Sequence, residues 1–217
     1  MALVELYTSE GCSSCPPADR WLSRLRSAGI GADALVPLSL HVDYWDHIGW
    51  KDPFAKPAFT ARQREVAATA GAGFVYTPQV VLAGRDYREW PSFDRFTKDV
   101  RTVNERTARA DIMLAAHAGT VTAQAAVVDA RWATTDVVLF LAVYEDGLTN
   151  RVTAGENRGT TLAHDAVVRE WFGPFAIDGT EPVTVSRVIS VPKPSGVAAF
   201  IQNRRTGDVL QAAMCAG

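Results

Sequence analysis

The chain opens on an apolar run, Leu3 to Thr8, that reads as a short strand ending in a turn at Ser9, Glu10 and Gly11. Trp21, Leu22 and Leu25 then recur at helical spacing and predict a helix over Cys15 to Ala28. Pro16 and Pro17 fit its first turn, where a missing N–H costs little, and Gly29 and Gly31 stop it. Ala34 to Tyr44 is long and mostly apolar, as in a strand buried on both faces of a parallel sheet. Trp45 to Pro57 follows neither period and reads as an irregular loop, before a helix from about Ala58 to Ala70 that Gly71 and Gly73 end. Thr77-Pro78 opens a strand, Gln79 to Ala83, and Gly84-Arg85-Asp86 turns the chain into a second strand through Glu89. Ser92 caps a last helix to about Arg109, with Phe93, Phe96, Val100 and Val103 on one face.

After Ala110 the period changes to short alternating or apolar runs separated by turn residues. Val121, Ala123, Ala125 and Val127 alternate, Val137 to Tyr144 is a fuller apolar run, and Val183, Val185, Ile189 and Val191 alternate again. Val197 to Asn203 and Asp208 to Met214 read as a hairpin across Arg204 to Gly207. The expectation is an α/β domain over residues 1–110, ordered βαβ-α-ββα with an inserted aromatic loop at 45–57, followed by a β-sandwich-like domain over 111–217. No linker, repeat or low-complexity stretch interrupts them.

Composition narrows the partners. Across 217 residues the net charge is -2, with 22 basic residues among 24 acidic ones, so nothing draws the chain to nucleic acid or anionic lipid. No apolar run approaches the roughly 18 residues of a membrane helix, so no membrane insertion is expected. No export signal precedes the first strand, which reads as cytoplasmic, or as periplasmic or secreted if a leader has been removed.

Three cysteines exclude a disulfide-stapled scaffold, and two of them, Cys12 and Cys15, stand three apart between a strand and a helix. At a helix start, free N–H groups and the helix dipole favour a thiolate, the attacking species in disulfide exchange. Cys12 is the expected nucleophile and Cys15 the thiol that resolves its mixed disulfide. Glu10 nearby partly opposes the thiolate.

The element order, the CxxC at the first helix and Thr77-Pro78 before the third strand resemble the thioredoxin-fold oxidoreductases. More closely, the chain resembles the bacterial family catalogued as domain of unknown function 1223. That resemblance rests on Val4 to Asp19, on His41-Val42-Asp43-Tyr44-Trp45-Asp46 with Gly49 to Phe54, on Arg62-Gln63, and on Gly155-Glu156-Asn157-Arg158-Gly159 with Leu162-Ala163-His164-Asp165. It implies a thioredoxin-like domain plus a β domain, and no established reaction. The likeness to thioredoxins implies a cis Thr77-Pro78 bond against the cysteines, with Thr77 and Pro78 contacting substrate. Ser13 and Ser14 stand where thioredoxins have Gly-Pro, and Gly11 replaces the aromatic that commonly precedes the pair, so the redox direction stays open.

Other residues carry two readings each. His41 and Asp43 share a face of the second strand and either assist proton transfer to the cysteines or bond locally. Trp45 and Trp50, with His47 and Phe54, make the loop either a substrate wall or a packing element. Arg62 to Glu65 reads as a solvated helix face, residues 155–159 as a connecting loop, His117 and His164 as isolated, and Cys215 as a thiol without function. Trp21, Trp90, Trp132 and Trp171 read as core or interface residues.

The leading expectation is a thiol:disulfide oxidoreductase acting on a protein or small-molecule thiol, without an organic cofactor or a structural metal. Its rivals are a soft-metal, copper-like carrier using the same cysteines with His41, and a thioredoxin-like binding module without enzymatic activity.

Overall fold

The computed structural model describes residues 1–25, 30 and 33–217. In chain order its elements are β1 (Ala2–Thr8), α1 (Pro16–Arg24), β2 (Leu35–His41), α2 (Pro57–Thr69), β3 (Gln79–Leu82), β4 (Arg85–Asp86) and α3 (Phe93–Asn104). There follow β5 (Ala110–His117), β6 (Thr120–Val127), β7 (Val137–Glu145), β8 (Leu148–Arg151), β9 (Thr161–His164), β10 (Val167–Ala176), β11 (Val183–Val188), β12 (Gly196–Asn203) and β13 (Val209–Ala216). The predicted helix stop at Gly29 and Gly31 lies outside the described residues.

The expected separation into an α/β thioredoxin-like unit and a β-sandwich is not what the chain forms. Strands hold 40% of the structure and helices 19%, and one mixed eight-stranded sheet runs β13-β12-β7-β10-β2-β1-β3-β4 through both halves. β1 and β2 are parallel, β3 runs antiparallel to β1, and β10 closes on the far side of β2 at Val167 and Ser39. That join covers the later part of β2 on the side away from β1, and β2 is buried throughout. Pro37 survives in this interior strand through parity. Ser39 N–H bonds Ala166 O, so the ring two residues earlier faces the same side, before β10 begins.

Alternation along β7 explains how one sheet serves two cores. Val138, Phe140, Ala142 and Tyr144 face a core shared with Leu3, Leu6, Phe59, Phe96 and Trp21, whereas Val137, Leu139, Leu141 and Val143 face Val121, Ala123, Ala125 and Val127. The second core is a sandwich: the sheet β11-β6-β5 covers this end of the large one. β5 and β6 alternate buried and more exposed positions accordingly, and the predicted hairpin forms as β12 and β13. Gly84, at φ +83°, and Gly207 approach so closely that no Cβ fits at Gly84, which seats the β3–β4 turn on that hairpin.

Three further local expectations change. β4 is two residues long rather than reaching Glu89, α3 ends at Asn104, and Ser92 occupies the cap position of α3 without a side-chain cap bond. Arg62 and Gln63 are buried, not solvated, because Glu5 of β1 and Gln202 of β12 receive the guanidinium and Gln79 receives the amide.

Candidate functional site

β1 ends at Thr8, and a tight turn follows in which the Cys12 N–H donates to Ser9 O at 3.1 Å and the Cys15 N–H to Cys12 O at 3.2 Å. Cys12 and Cys15 are joined by a disulfide with Cα atoms 5.4 Å apart. The helix begins one residue after Cys15, which is its cap, so Cys12 stands a turn upstream of the helix rather than at its mouth. Pro16 and Pro17 also remove two N–H groups from the first turn. The helix therefore gives Cys12 less than the spacing predicts, and side chains supply the donors instead.

Those donors are Ser14 and Thr77. Ser14 Oγ lies 3.2 Å from Cys12 Sγ, and Thr77 Oγ1 donates to the same sulfur at 3.3 Å. The Thr77-Pro78 bond is cis and leads into β3. Trp45 Nε1 donates to Thr77 Oγ1 at 2.7 Å. An indole N–H can only donate, so Thr77 Oγ1 must accept from it and is left to point its own hydrogen at the sulfur. Gly11 makes room for this arrangement, because a Cβ there would sit 3.1 Å from Trp45 Cβ.

Behind the turn lies a buried cluster of ionisable groups: Glu10, Asp19, His41, Asp52 and His164. Glu10 accepts from Trp50 Nε1 at 2.8 Å and Asn150 Nδ2 at 3.1 Å, and its Oε1 lies 3.1 Å from His164 Nε2. His164 Nδ1 stands 3.8 Å from Asp19 Oδ1, close enough for charge attraction but not for a hydrogen bond. Burial disfavours the imidazolium, yet Asp19 and Glu10 outweigh it and raise the His164 pKa to about 9. His41 Nδ1 lies 2.7 Å from Asp52 Oδ2, which also accepts the Glu10 N–H at 2.8 Å. Burial likewise opposes the Asp52 charge, but His41 and the N–H groups of Glu10 and Phe54 hold its carboxyl below the usual range. The two imidazoles meet edge to face at 4.9 Å, and among the described residues Asp19 Oδ1, His41 Nε2 and His164 Nδ1 have no hydrogen-bond partner.

Of the predicted site residues, Cys12, Cys15, Thr77 and Trp45 come together at the disulfide, Pro78 follows Thr77 across the cis bond, and Trp50 donates to Glu10 two residues before Cys12. His41 belongs to the buried cluster. Asp43 does not: it accepts from Thr60 Oγ1 at 2.5 Å and ties the end of β2 to α2. His164, read from the sequence as isolated, is the residue most clearly missed. It enters on β9, and its contact with Glu10 spans 154 positions. The 155–159 connection between β8 and β9 also touches the cysteine turn, through Glu156 and Asn157. Among the described residues no group of three or more His, Cys, Asp and Glu is placed to hold a metal ion, and Cys215 is a half-buried thiol whose pKa burial raises.

The chain matches a family model and resembles solved structures in fold. The family model described as protein of unknown function (DUF1223) matches residues 3–202. No curated protein matches the chain. A protein of Agrobacterium tumefaciens known from its X-ray crystal structure is 26% identical, with a TM-score of 0.76 over 100% of this chain and 94% of its own. HBP35 of Porphyromonas gingivalis is 16% identical, with a TM-score of 0.72 over 99% of this chain and 74% of its own, a likeness of fold alone.

Proposed function

Starting from a chain that belongs to the family of proteins of unknown function (DUF1223), we propose that it is a thiol:disulfide oxidoreductase in which the Cys12–Cys15 pair exchanges with a protein or small-molecule thiol. The observation that carries this reading is the one-way chain Trp45 N–H to Thr77 O–H to Cys12 Sγ. Donors aimed at a sulfur favour its anionic form, and a stabilised thiolate is both a ready nucleophile and a good leaving group. A disulfide kept only for stability has no use for them.

The exchange runs in two balanced steps. A substrate thiolate attacks Cys12 Sγ, the Cys12–Cys15 bond breaks, and Cys15 leaves as a thiolate that takes up a proton. A second substrate thiolate then attacks the substrate sulfur of the mixed disulfide, and Cys12 leaves as the thiolate that Thr77 and Ser14 stabilise. The substrate thiols lose two electrons and two protons; the cysteine pair gains both electrons and, on Cys15, one proton, while the second proton passes to solvent and Cys12 remains a thiolate; the reverse sequence reduces a substrate disulfide. Asp19 stands on α1 four residues after the cap residue Cys15, with one oxygen bonded to Thr8 and the other, toward His164, without a hydrogen-bond partner among the described residues. It is therefore the group we assign to carry the Cys15 proton, in place of Asp43. Cys12 is only 1% exposed, whereas Ser13 and Ser14 are exposed, so attack requires that Ser14 swing off the sulfur.

Exchange with a disulfide-linked fluorogenic peptide tests the assignment. Cys12→Ser abolishes turnover, and Cys15→Ser accumulates a covalent complex with the peptide through Cys12 that reductant releases. Wild-type rates in both variants would refute it.

A further inference from the structure

Asn157 is buried, and its Nδ2 donates to Glu10 O at 2.8 Å and to Cys12 O at 3.0 Å, so one side chain spans both ends of the turn before the disulfide. Its neighbour Glu156 accepts the Ser13 N–H on Oε2 at 3.0 Å. The Ser13 side chain and amide together hold the exposed Glu156 carboxyl below its usual range. Gly155, at φ +69°, lies against Trp50, where an added Cβ would come within 3.3 Å of Trp50 Cβ. Trp50 in turn donates to Glu10, so the loop is seated on the turn from both sides.

A thiolate on Cys12 competes for the same donors. The Cys15 N–H is engaged with Cys12 O, and the Ser13 N–H, the amide next to Cys12, is engaged with a carboxylate. Glu156 thus acts twice against the thiolate: it occupies a donor and sets a negative charge on the amide next to Cys12.

We propose that Glu156 and Asn157 are positioning residues that set the acidity of Cys12, Asn157 by fixing the turn and Glu156 by holding the thiolate back. The proposal rests on the redox reading of the pair. The other charged groups around the turn are Glu10 after β1, Asp19 on α1, His41 on β2, Asp52 in the loop after it and His164 on β9, all buried in the cluster described above. Glu156 is the exposed one, so its charge is removable without unmaking the core.

The test is the pH dependence of iodoacetamide alkylation of Cys12 in the reduced full-length protein, the modified residue being located by mass spectrometry. Glu156→Gln lowers the apparent pKa of Cys12, and Glu156→Ala, which also frees the Ser13 N–H, lowers it further. A fall of about half a unit raises neutral-pH alkylation about threefold while the thiol is mostly protonated. In an Asn157→Ala background the Glu156→Gln effect disappears, because the turn no longer holds the charge in place. Unchanged or slower alkylation in both Glu156 variants overturns the proposal, including where their melting temperature falls, since that is a structural role alone. Because alkylation needs no substrate, this outcome is separable from failure of the oxidoreductase reading, which Cys12→Ser exchange decides.

Discussion

Two buried charge networks hang on the same strand and differ in one respect. At Glu5, inside β1, the carboxylate accepts from Arg62 Nε at 3.0 Å, Arg62 Nη2 at 3.1 Å and Tyr7 Oη at 3.1 Å, and Arg62 Nη1 donates to Gln202 at 2.6 Å. Phe140 and Phe200 pack against the guanidinium at 5.2 and 5.4 Å. At Glu10, just beyond the strand, the carboxylate is equally well met, yet Asp19, His41 and His164 each keep one polar atom without a hydrogen bond among the described residues. A closed network fixes three elements to one another; an open one next to a disulfide has sites that a moving proton can use.

The closed network should therefore govern stability and leave chemistry alone. Arg62→Ala strands Glu5 in the core and costs about 3 to 5 kcal/mol in urea denaturation. Arg62→Met with Glu5→Gln recovers most of that loss, because the pair leaves together and the methionine fills against Phe140 and Phe200. Exchange by the folded fraction stays at the wild-type rate in both. A large fall in exchange per folded molecule would erase the distinction between the networks.

The open network should show itself through pH. His164 has a pKa of about 9 when folded against 6.5 when free, so its contribution to stability is complete below about 6.5 and is lost as pH rises through about 9. The window is worth up to about 3 kcal/mol, an upper bound for a buried cluster that relaxes when one member changes charge. Asp52 acts at the other end, since its lowered pKa adds stability that disappears only on acidification. Urea midpoints of the wild type should fall between pH 6.5 and 9.5, and His164→Gln should flatten that slope while losing stability at pH 6. A wild-type slope retained by His164→Gln would place the alkaline transition elsewhere.

What the chain revealed beforehand follows the range of the contacts. The period of β1 and α1, the spacing of the two cysteines and the turn between β12 and β13 lie within a few residues of sequence, and period and turn chemistry locate them. The join at β10 does not: Arg169 and Glu170 interrupt its apolar run, and its partners β2 and β7 come from separate parts of the chain. Arg62 looked solvated because both of its acceptors are remote in sequence. His164 looked isolated for the same reason, whereas Asp19 was in view four residues after Cys15 and needed only the helical spacing to be read. The order of strands and helices in the first half was legible, but the merging of both halves into one sheet was not, because pattern describes a strand and not which edge it will find.

The smallest effect tests the donors that reach the sulfur from outside both networks. Trp45→Phe keeps the Cβ beside Gly11 and an aromatic ring, and removes the indole N–H that fixes the Thr77 hydroxyl. Thr77 is then free to donate elsewhere, Cys12 loses part of its donor, and its apparent pKa rises by about half a unit, slowing neutral-pH alkylation about threefold with stability changed by less than about 1 kcal/mol. Thr77→Val removes the donor itself and should slow the reaction at least as much. If Thr77→Val slows alkylation and Trp45→Phe does not, the hydroxyl needs no indole to direct it, and the sulfur's environment begins at Thr77 rather than at the aromatic loop.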